Sequence, residues 1–418
     1  MVKSPTTTTP RLREPALTLR LSSTALAAIA VGAALLGGCA SGSRTVFTEA
    51  EQMSAAPSGA PGIRYWADAP AGAFQGARHV VAEPGRPFVY LALSGGGGGG
   101  AYGAGVLNGW TRSGTRPQFT MVSGVSTGAL IAPFAFLGSD YDATLTRIYT
   151  SGDAARLIGH PNIFGPIFGP ALFGRARLRG MVDRYLDDDV LRKIADEDRK
   201  GRRLEVVTTN LDAQRAVIWD MGAIAAIGGP KALRLFREVL AASASVPVVF
   251  APQLIEVESG GRTFEELHAD GTVSAPIYTL PDAILFGHKA ILTGPVVAGP
   301  NDPVMYVIVN ARIDPGFGMV PNTAIAIAAQ SFSTMNRIAT KAVLAQTYDA
   351  AMREGFGFHL TYIGADVPER GGTGFETPAM RELYGYGYDR GRAGSFWITK
   401  LSQVEVQKDA SKQTAVGP

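Results

Sequence analysis

Six consecutive glycines, Gly95–Gly100, are the feature that most restricts how this chain can fold. They follow the apolar run FVYLAL and lead into AYGAGVLNGW, for which we expect a helix. Glycine loses more backbone freedom on folding than any other residue, so an ordered run of six needs a physical reason. The run predicts a flexible linker, a phosphate-binding loop, or a turn that brings bare backbone amides close to a ligand.

Predicted strands and helices alternate along most of the chain. The predicted strands are residues 88–93, 119–123, 204–211, 216–219, 254–257, 262–268 and 305–311. The predicted helices are residues 101–112, 127–137, 142–149, 178–195, 231–242 and 323–352. Because continuous apolar strands are separated by helices, we expect an α/β fold whose mostly parallel central sheet carries helices on both faces.

An export signal is predicted at residues 1–38. Arg11, Arg13 and Arg20 precede an apolar stretch of small residues, Leu21–Gly38, as in the basic and apolar regions of such signals. A transmembrane helix is the alternative, since a stretch of this length could just span a bilayer. Membrane-spanning helices favour larger apolar side chains than those of Ala and Gly, so the export signal is the preferred interpretation.

The apolar stretch ends at Cys39, the single cysteine of the chain. The local sequence LLGGC resembles the lipobox of bacterial lipoproteins, which implies cleavage before Cys39 and attachment of acyl chains, palmitate among them. The resemblance implies a lipid anchor in the bacterial envelope, with the chain facing the periplasm. Ala40 after the cysteine favours the outer membrane over the inner one. A lone cysteine also excludes an intramolecular disulfide.

Ser126 is the candidate nucleophile. It stands at the centre of GVSTG, residues 124–128, which follows the predicted strand FTMVS and precedes the apolar helix ALIAPFAFL. A strand–turn–helix is the context in which a Gly-x-Ser-x-Gly serine acts as a nucleophile. Gly124 and Gly128 are expected to allow close packing at the turn, and the helix N-terminus favours a developing anion. A buried structural serine is the alternative interpretation.

No histidine is an obvious candidate for the base that Ser126 needs. None of the five histidines is placed as the third member of a triad: His79, His160, His268, His288 and His359. Asp270, followed by Gly271, ends the strand-like RTFEELHA, and active sites of α/β sheets gather at strand ends. A carboxylate can act as the base where burial raises its pKa. A metal shared by His268 and Asp270 is disfavoured, because no further ligand cluster accompanies them.

The order of these motifs resembles that of the patatin-like lipid acyl hydrolases. The supporting stretches are LDAQRAVIWDMG and AASASVPVVFAPQLI, and the resemblance covers about residues 88–276. It implies a three-layer fold, a Ser126–Asp270 dyad without histidine, hydrolysis of acyl esters of phospholipids or neutral lipids, and no cofactor. It also implies that an oxyanion is held by loop amides. We assign this role to Gly96, Gly97 and Gly98, with Gly95 and Gly100 completing the motif.

Two positions depart from the pattern of that family. Gly99 stands where an Arg or Lys is usual, which predicts a looser loop than in the family. Thr272 makes the downstream motif Asp-Gly-Thr rather than Asp-Gly-Gly or Asp-Gly-Ala. Neither change removes a reacting group, but both weaken the expectation that phospholipid is the preferred substrate.

The sequence predicts four regions: a signal peptide at 1–38, an anchor and flexible lead-in at 39–85, a catalytic domain at 86–400 and a polar tail at 401–418. Residues 1–38 carry four basic and one acidic side chain, so the net charge of +3 lies there and the remainder is neutral. We therefore expect no nucleic-acid partner. The oligomeric state is not determined by the sequence.

Three other functions compete with the lipid acyl hydrolase. One is a Ser-His-Asp enzyme of the α/β-hydrolase fold, which would require one of the histidines. Another is a lipoprotein without catalysis that binds lipid or acts as a scaffold in the envelope. Nucleotide binding through Gly-x-Gly-x-x-Gly is disfavoured. Six glycines satisfy many such patterns, and no acidic residue follows about twenty residues on at the end of a second strand.

Overall fold

The structure is a computed structural model that describes residues 44–69, 87–153, 155, 171–279, 303–367, 375–402 and 404. The predicted signal peptide, Cys39 and most of the predicted tail lie outside the described residues. So do three of the histidines: His79, His160 and His288.

Eleven described strands are arranged in two sheets. They are β1 Arg64–Trp66, β2 Val89–Leu93, β3 Met121–Val125, β4 Ala171–Phe173, β5 Arg203–Asn210, β6 Arg215–Asp220, β7 Val248–Phe250, β8 Gln253–Ser259, β9 Arg262–Asp270, β10 Val304–Val309 and β11 Gly357–Tyr362. The main sheet has the order β1-β6-β5-β3-β2-β10-β11, with the β8–β9 hairpin joined to β5, and β4 pairs with β7 separately. β5, β3, β2, β10 and β11 are parallel, whereas β1, β6 and β9 run antiparallel to their neighbours.

Ten helices are described around these strands. They are α1 Glu49–Ser54, α2 Gly100–Arg112, α3 Thr127–Leu137, α4 Asp142–Thr150, α5 Arg175–Tyr185, α6 Asp188–Arg199, α7 Met221–Ile227, α8 Gly229–Ser243, α9 Ala324–Glu354 and α10 Thr377–Ala393. Short 3₁₀ turns occupy residues 97–99, 139–141 and 271–273.

Both faces of the central strands β2, β3 and β5 are buried, as their continuous apolar sequences predicted. Alternate residues of a strand point to opposite faces, and on β2 Leu91 joins one apolar cluster while Tyr90 joins the other. The first cluster contains Phe136 of α3 and Phe236 of α8, and the second contains Leu344 of α9. The prediction of an α/β fold with a mostly parallel sheet and helices on both faces is confirmed.

The single helix predicted over residues 178–195 is wrong, because the chain forms two helices there, α5 and α6. Asp187 separates them by capping α6, and its side chain accepts a hydrogen bond from the backbone N–H of Val190 at 2.9 Å. An aspartate at this position satisfies a helix-start amide better than it continues a helix. Seven further elements were missed from the sequence, namely α1, β1, β4, β7, β11, α7 and α10.

Residues 44–69 are ordered on the sheet, where the sequence predicted a flexible lead-in. β1 pairs with β6, and the ring of Phe47 stacks on Phe264 of β9 with centroids 4.4 Å apart. Arg44 bonds the carboxylate of Asp212 and the carbonyl of Glu265. The prediction is therefore wrong for this part of the lead-in, which we call the N-terminal arm.

Helices α2 and α10 cross at backbone contact because both carry glycines at the crossing. A side chain on Gly105 or Gly109 of α2 would overlap the carbonyl oxygen of Tyr384 or Tyr388. A side chain on Gly387 of α10 would overlap the carbonyl oxygen of Tyr102. This close crossing fixes α2, the helix that continues directly from the glycine run.

A methyl group added at this crossing should destabilise the protein. We expect Gly387→Ala to lower the free energy of unfolding by about 2 kcal/mol, because the helices must separate to accept it. The matched control is Gly385→Ala on the same helix, where no atom lies within 4 Å of an added Cβ. It should be neutral or stabilising by up to about 1 kcal/mol. Urea unfolding measures both, and equal stabilities of the two variants would contradict the packing described.

Candidate functional site

The C-terminal ends of β3 and β9 meet along the same edge of β5. β3 runs parallel to β5 and ends with Val125 opposite Val207. β9 runs antiparallel to β5 and ends with Asp270 opposite Thr208, the next residue of β5. The side chain that follows β3 and the side chain that ends β9 are therefore brought together. Ser126 Oγ donates a hydrogen bond to Asp270 Oδ2 at 2.6 Å.

Ser126 occupies a sharp turn between β3 and α3. Its φ is 56° and its ψ −124°, a conformation that costs a non-glycine residue about 1–3 kcal/mol. Ser243 stabilises this turn. The N–H of Ser126 donates a hydrogen bond to Ser243 Oγ at 3.0 Å, and that hydroxyl donates to the carbonyl of Val207 at 2.6 Å. Ser126 is thus a strained residue with its hydroxyl aimed at the end of β9.

The two glycines that flank Ser126 leave no space for a side chain. A Cβ on Gly124 would lie 2.5 Å from the carbonyl oxygen of Gly128, and one on Gly128 would overlap the carbonyl of Leu93. Strand β3, helix α3 and the end of β2 therefore pack at backbone distance. Gly271, next to Asp270, is equally confined, since a Cβ there would overlap the carbonyl of Val207.

Asp270 is a fully buried carboxylate with both oxygens occupied. Oδ1 accepts hydrogen bonds from the backbone N–H of Thr272 at 2.8 Å and from its hydroxyl at 2.7 Å. Burial raises the pKa of Asp270 from its ordinary value near 3.8 to about 6, against the opposing effect of the hydrogen bonds from Ser126 and Thr272. A carboxyl group with this pKa can exchange a proton with a serine hydroxyl near neutral pH.

The glycine run is an ordered turn, so the flexible-linker interpretation is wrong. Residues 97–99 form a 3₁₀ turn that continues into α2, and Gly97 has a φ of +56°. Four of the six glycines are required by close neighbours. A side chain on Gly95 would overlap the methyl group of Thr272, one on Gly96 or Gly99 the carbonyl of Asn310, and one on Gly100 the hydroxyl of Thr127.

Gly99 therefore does not loosen the loop, contrary to the expectation from its departure from the family pattern. The loop lies so close to Asn310 that an Arg or Lys at position 99 could not be accommodated in this conformation. Close packing on the backbone of Asn310, which follows β10, orders the loop without a basic side chain at position 99.

Three amides of the glycine run take no part in the hydrogen bonds described for it. The N–H of Gly95 donates to Pro276 and that of Gly99 to Gly96. Within the described residues, no acceptor is found for the N–H groups of Gly96, Gly97 and Gly98. Gly97 and Ser126 lie on the same cavity.

Asn310 is a supporting residue that the sequence reading missed. It follows β10, and its N–H donates to Ser94 Oγ at 2.8 Å while its Nδ2 donates to the carbonyl of Ser94 at 2.8 Å. Because Ser94 directly precedes the glycine run, these bonds tie the loop to β10. The only sequence signal was an asparagine at the end of an apolar strand, which by itself indicates no partner.

The pocket beside Ser126 has a volume of about 440 Å³ including its mouth. Aliphatic and aromatic side chains dominate its described lining, and Arg177 is the charged residue among them. The lining residues besides Gly97 and Ser126 are Thr127, Leu130, Arg177, Leu178, Met181, Ala244, Val246, Phe250 and Phe375. Such a surface accommodates a hydrocarbon chain.

Neither described histidine contacts Ser126 or Asp270. His268 is buried, with Nδ1 on the hydroxyl of Thr208 at 2.9 Å and Nε2 on the carboxylate of Glu266 at 3.1 Å, and burial lowers its pKa. His359 packs on the ring of Tyr306, and burial lowers its pKa too. The described residues contain no group of three or more His, Cys, Asp or Glu side chains arranged to hold a metal.

No helix within the described ranges combines the length and the apolar character needed to cross a bilayer. The predicted signal peptide and Cys39 are outside these ranges, so their predicted roles stay predictions.

Comparison with known proteins identifies the domain. Residues 91–281 match the sequence model of the family described as patatin-like phospholipase. Among solved structures, the chain is similar to the crystal structure of VipD from Legionella pneumophila. Their sequence identity is 14%, the TM-score is 0.35, and the similarity covers 74% of this chain and 66% of that chain. No curated protein sequence matches this chain. The family match covers the glycine run, Ser126 and Asp270, and the chain therefore carries a patatin-like phospholipase domain at residues 91–281.

Proposed function

We propose that this chain is a serine lipid acyl hydrolase in which Ser126 is the nucleophile and Asp270 the general base. The observation that carries the proposal is the 2.6 Å hydrogen bond from Ser126 Oγ to the buried Asp270 carboxylate. It lies at an apolar pocket that also presents the backbone of Gly97. A serine, a base of suitable pKa and amide donors on one pocket are the components of acyl transfer.

The reaction proceeds through an acyl-enzyme. As Ser126 Oγ bonds to the acyl carbonyl carbon, its proton passes to Asp270 Oδ2, and the carbonyl oxygen becomes an anion that accepts hydrogen bonds from the amides of Gly96, Gly97 and Gly98. The intermediate collapses and the ester C–O bond breaks, with the proton of Asp270 going to the leaving alcohol. Water then gives a proton to Asp270 as its oxygen bonds to the acyl carbon. The bond from that carbon to Ser126 Oγ breaks, Asp270 returns the proton to Ser126 Oγ, and the fatty acid is released.

The lining of the pocket supports a lipid ester as the substrate. Apolar side chains next to the proposed nucleophile can contact an acyl chain; they include Leu130, Leu178, Met181 and Phe250. Arg177 also lines this pocket, and its positive charge is compatible with an anionic group on the substrate, such as a phospholipid carries. Acyl esters of phospholipids or neutral lipids are therefore the substrate class that we propose.

Replacing either reacting group should abolish turnover. Ser126→Ala and Asp270→Asn should each lower kcat/KM on a short-chain p-nitrophenyl ester by at least about a thousandfold. In the wild type kcat/KM should fall as the pH drops through about 6, because protonated Asp270 cannot accept the serine proton. Undiminished activity in either variant would refute the assignment. Absence of Ser126 labelling by a fluorophosphonate would favour a lipid-binding protein without catalysis.

Asp270→Asn carries its own control for misfolding. The pKa of Asp270 is higher in the fold than in the unfolded chain, so its deprotonation destabilises the native state as pH rises through about 6. Asparagine removes that cost, and the variant should be more stable than the wild type by up to about 3 kcal/mol at about pH 8. The difference should vanish below about pH 4. An inactive variant that is also less stable at every pH would indicate a damaged fold instead.

Gly97 provides a test of the amide donors. A methyl group in Gly97→Ala would enter the pocket, where the nearest described atom is Phe375 Cζ at 3.6 Å, and would crowd the carbonyl that the amides bind. We expect kcat to fall by about a hundredfold. Gly114→Ala is the matched control, because Gly114 also has a positive φ, of +76°, and no neighbour within 4 Å. Both variants should lose about 1 kcal/mol of stability, but Gly114→Ala should keep its kcat.

We further propose that the chain is anchored to the bacterial envelope through acyl chains on Cys39, with the outer membrane favoured. Only residues 40–43 separate this cysteine from Arg44, the start of the N-terminal arm, which is held by Asp212 and Glu265. Cys39→Ser should move the protein from the membrane to the soluble fraction and prevent labelling by a palmitate analogue. Retention of the variant on membranes would contradict this anchor.

A further inference from the structure

We propose that Thr272 is a positioning residue that holds the Asp270 carboxylate through its hydroxyl and the start of the glycine loop through its methyl group. The inference rests on the proposed function, since it concerns the same base and the same amide donors. Thr272 stands at the third position of the Asp-Gly-x motif, where the family resemblance implies Gly or Ala. Either would lack the hydroxyl, and neither would reach the loop in the same way.

The hydroxyl of Thr272 fixes the orientation of the base. Oγ1 donates to Asp270 Oδ1 at 2.7 Å, and the Thr272 backbone N–H donates to the same oxygen at 2.8 Å. With Oδ1 held by two donors, the plane of the carboxylate is set and Oδ2 is left facing Ser126 Oγ at 2.6 Å. Thr272 is itself only 8% exposed, so its side chain is not free to turn elsewhere.

The methyl group of Thr272 packs against the loop that supplies the amide donors. A Cβ built on Gly95 would overlap Thr272 Cγ2 and would lie 3.2 Å from Ser126 Cβ. The methyl group therefore covers the bare Cα of Gly95 and fills the space that a side chain would take. One residue thus contacts both the base and the glycine run, and it keeps their separation constant.

The hydroxyl also affects the proton affinity of the base. Burial raises the pKa of Asp270, whereas the hydrogen bonds of Ser126 and Thr272 lower it. Charged or titratable side chains on the surrounding elements have other partners. Glu266 and His268 on β9 bond each other, Tyr149 on α4 bonds Thr127, and the Arg177 guanidinium on α5 lies over the ring of Phe173. Loss of the Thr272 hydroxyl is therefore expected to raise the pKa of Asp270 further.

Two substitutions separate the hydroxyl from the methyl group. Thr272→Val keeps the shape and removes the hydroxyl, whereas Thr272→Ser keeps the hydroxyl and removes the methyl group. The readout is the second-order rate at which a fluorophosphonate modifies Ser126, measured by mass spectrometry from about pH 5 to about pH 9. In this reaction Ser126 Oγ bonds to phosphorus, fluoride leaves, and the serine proton passes to Asp270. The rate therefore follows the protonation of Asp270 without depending on an unidentified lipid.

We expect Thr272→Val to change the pH dependence of the reaction and Thr272→Ser to change its rate only. For Thr272→Val, the pH at which the rate is half-maximal should move upward by about one unit, and the plateau at alkaline pH should fall several-fold because Asp270 Oδ1 loses one of the two donors that orient the carboxylate. For Thr272→Ser, the pH of half-maximal labelling should not change. The rate of hydrolysis of a p-nitrophenyl ester should fall several-fold at every pH, because the glycine loop loses its contact with the Thr272 methyl group. Thr272→Ala, which loses both groups, should show both effects.

The inference is overturned if Thr272→Val lowers the labelling rate by the same factor at every pH and leaves the midpoint unchanged, because the hydroxyl then has only a structural role. It is also overturned if Thr272→Ser shifts the midpoint as Thr272→Val does. Should Thr272→Val fail to fold, the midpoint of Thr272→Ala decides, and an unshifted midpoint refutes the role of the hydroxyl. Failure of the proposed function gives a different result, namely equal labelling of wild-type and Ser126→Ala protein.

Discussion

The contact between Ser126 and Asp270 depends on the register of two strands on one edge of β5. β3 arrives from one direction and β9 from the other, and their last residues lie opposite Val207 and Thr208. A shift of β9 by one residue would turn the Asp270 side chain to the other face of the sheet. A shift by two would carry it about 7 Å along the strand, beyond hydrogen-bond distance. Hence the chemistry of the site requires a fixed β9, and much of the surrounding structure serves to fix it.

A chain of buried polar side chains on β9 and its neighbours helps to fix this strand. The carboxylate of Glu266 binds the guanidinium of Arg64 and the ring of His268, which in turn meets the hydroxyl of Thr208. Burial alone would raise the pKa of Glu266, but the hydrogen bonds from His268 and Arg64 lower it to about 2, so the carboxylate stays charged and bonded. The N-terminal arm contributes Arg64, and thereby links residues before the predicted catalytic domain to β9, the strand that carries the proposed base.

The sequence allowed the prediction of features that depend on neighbouring residues. Helix α3 was predicted with its observed ends, Thr127–Leu137, and the turn at Ser126 was recognised because strand, glycines and helix follow one another within a few residues. Asp270 was found as a carboxylate at the end of a predicted strand, followed by Gly271, and the order of the motifs then supported it. The partners of the glycine run were not found, because Asn310 lies 216 residues after Ser94. Likewise, Gly387 and Gly391 of α10 are required only because α2 packs against them, and a single sequence does not show which helices are in contact.

The glycine run combines two requirements that its sequence does not separate. Gly95, Gly96, Gly99 and Gly100 are glycines because Thr272, Asn310 and Thr127 lie too close for side chains, a steric requirement that gives the loop order. Gly97 differs, since an added Cβ there would make only ordinary contact with the ring of Phe375, at 3.6 Å, and its φ of +56° is the feature that favours glycine. An amide can stabilise a developing anion only if the fold leaves it without an acceptor, which costs stability until a substrate arrives. In the proposed reaction, the packed glycines would keep the amides of Gly96, Gly97 and Gly98 in place for the carbonyl oxygen of the substrate.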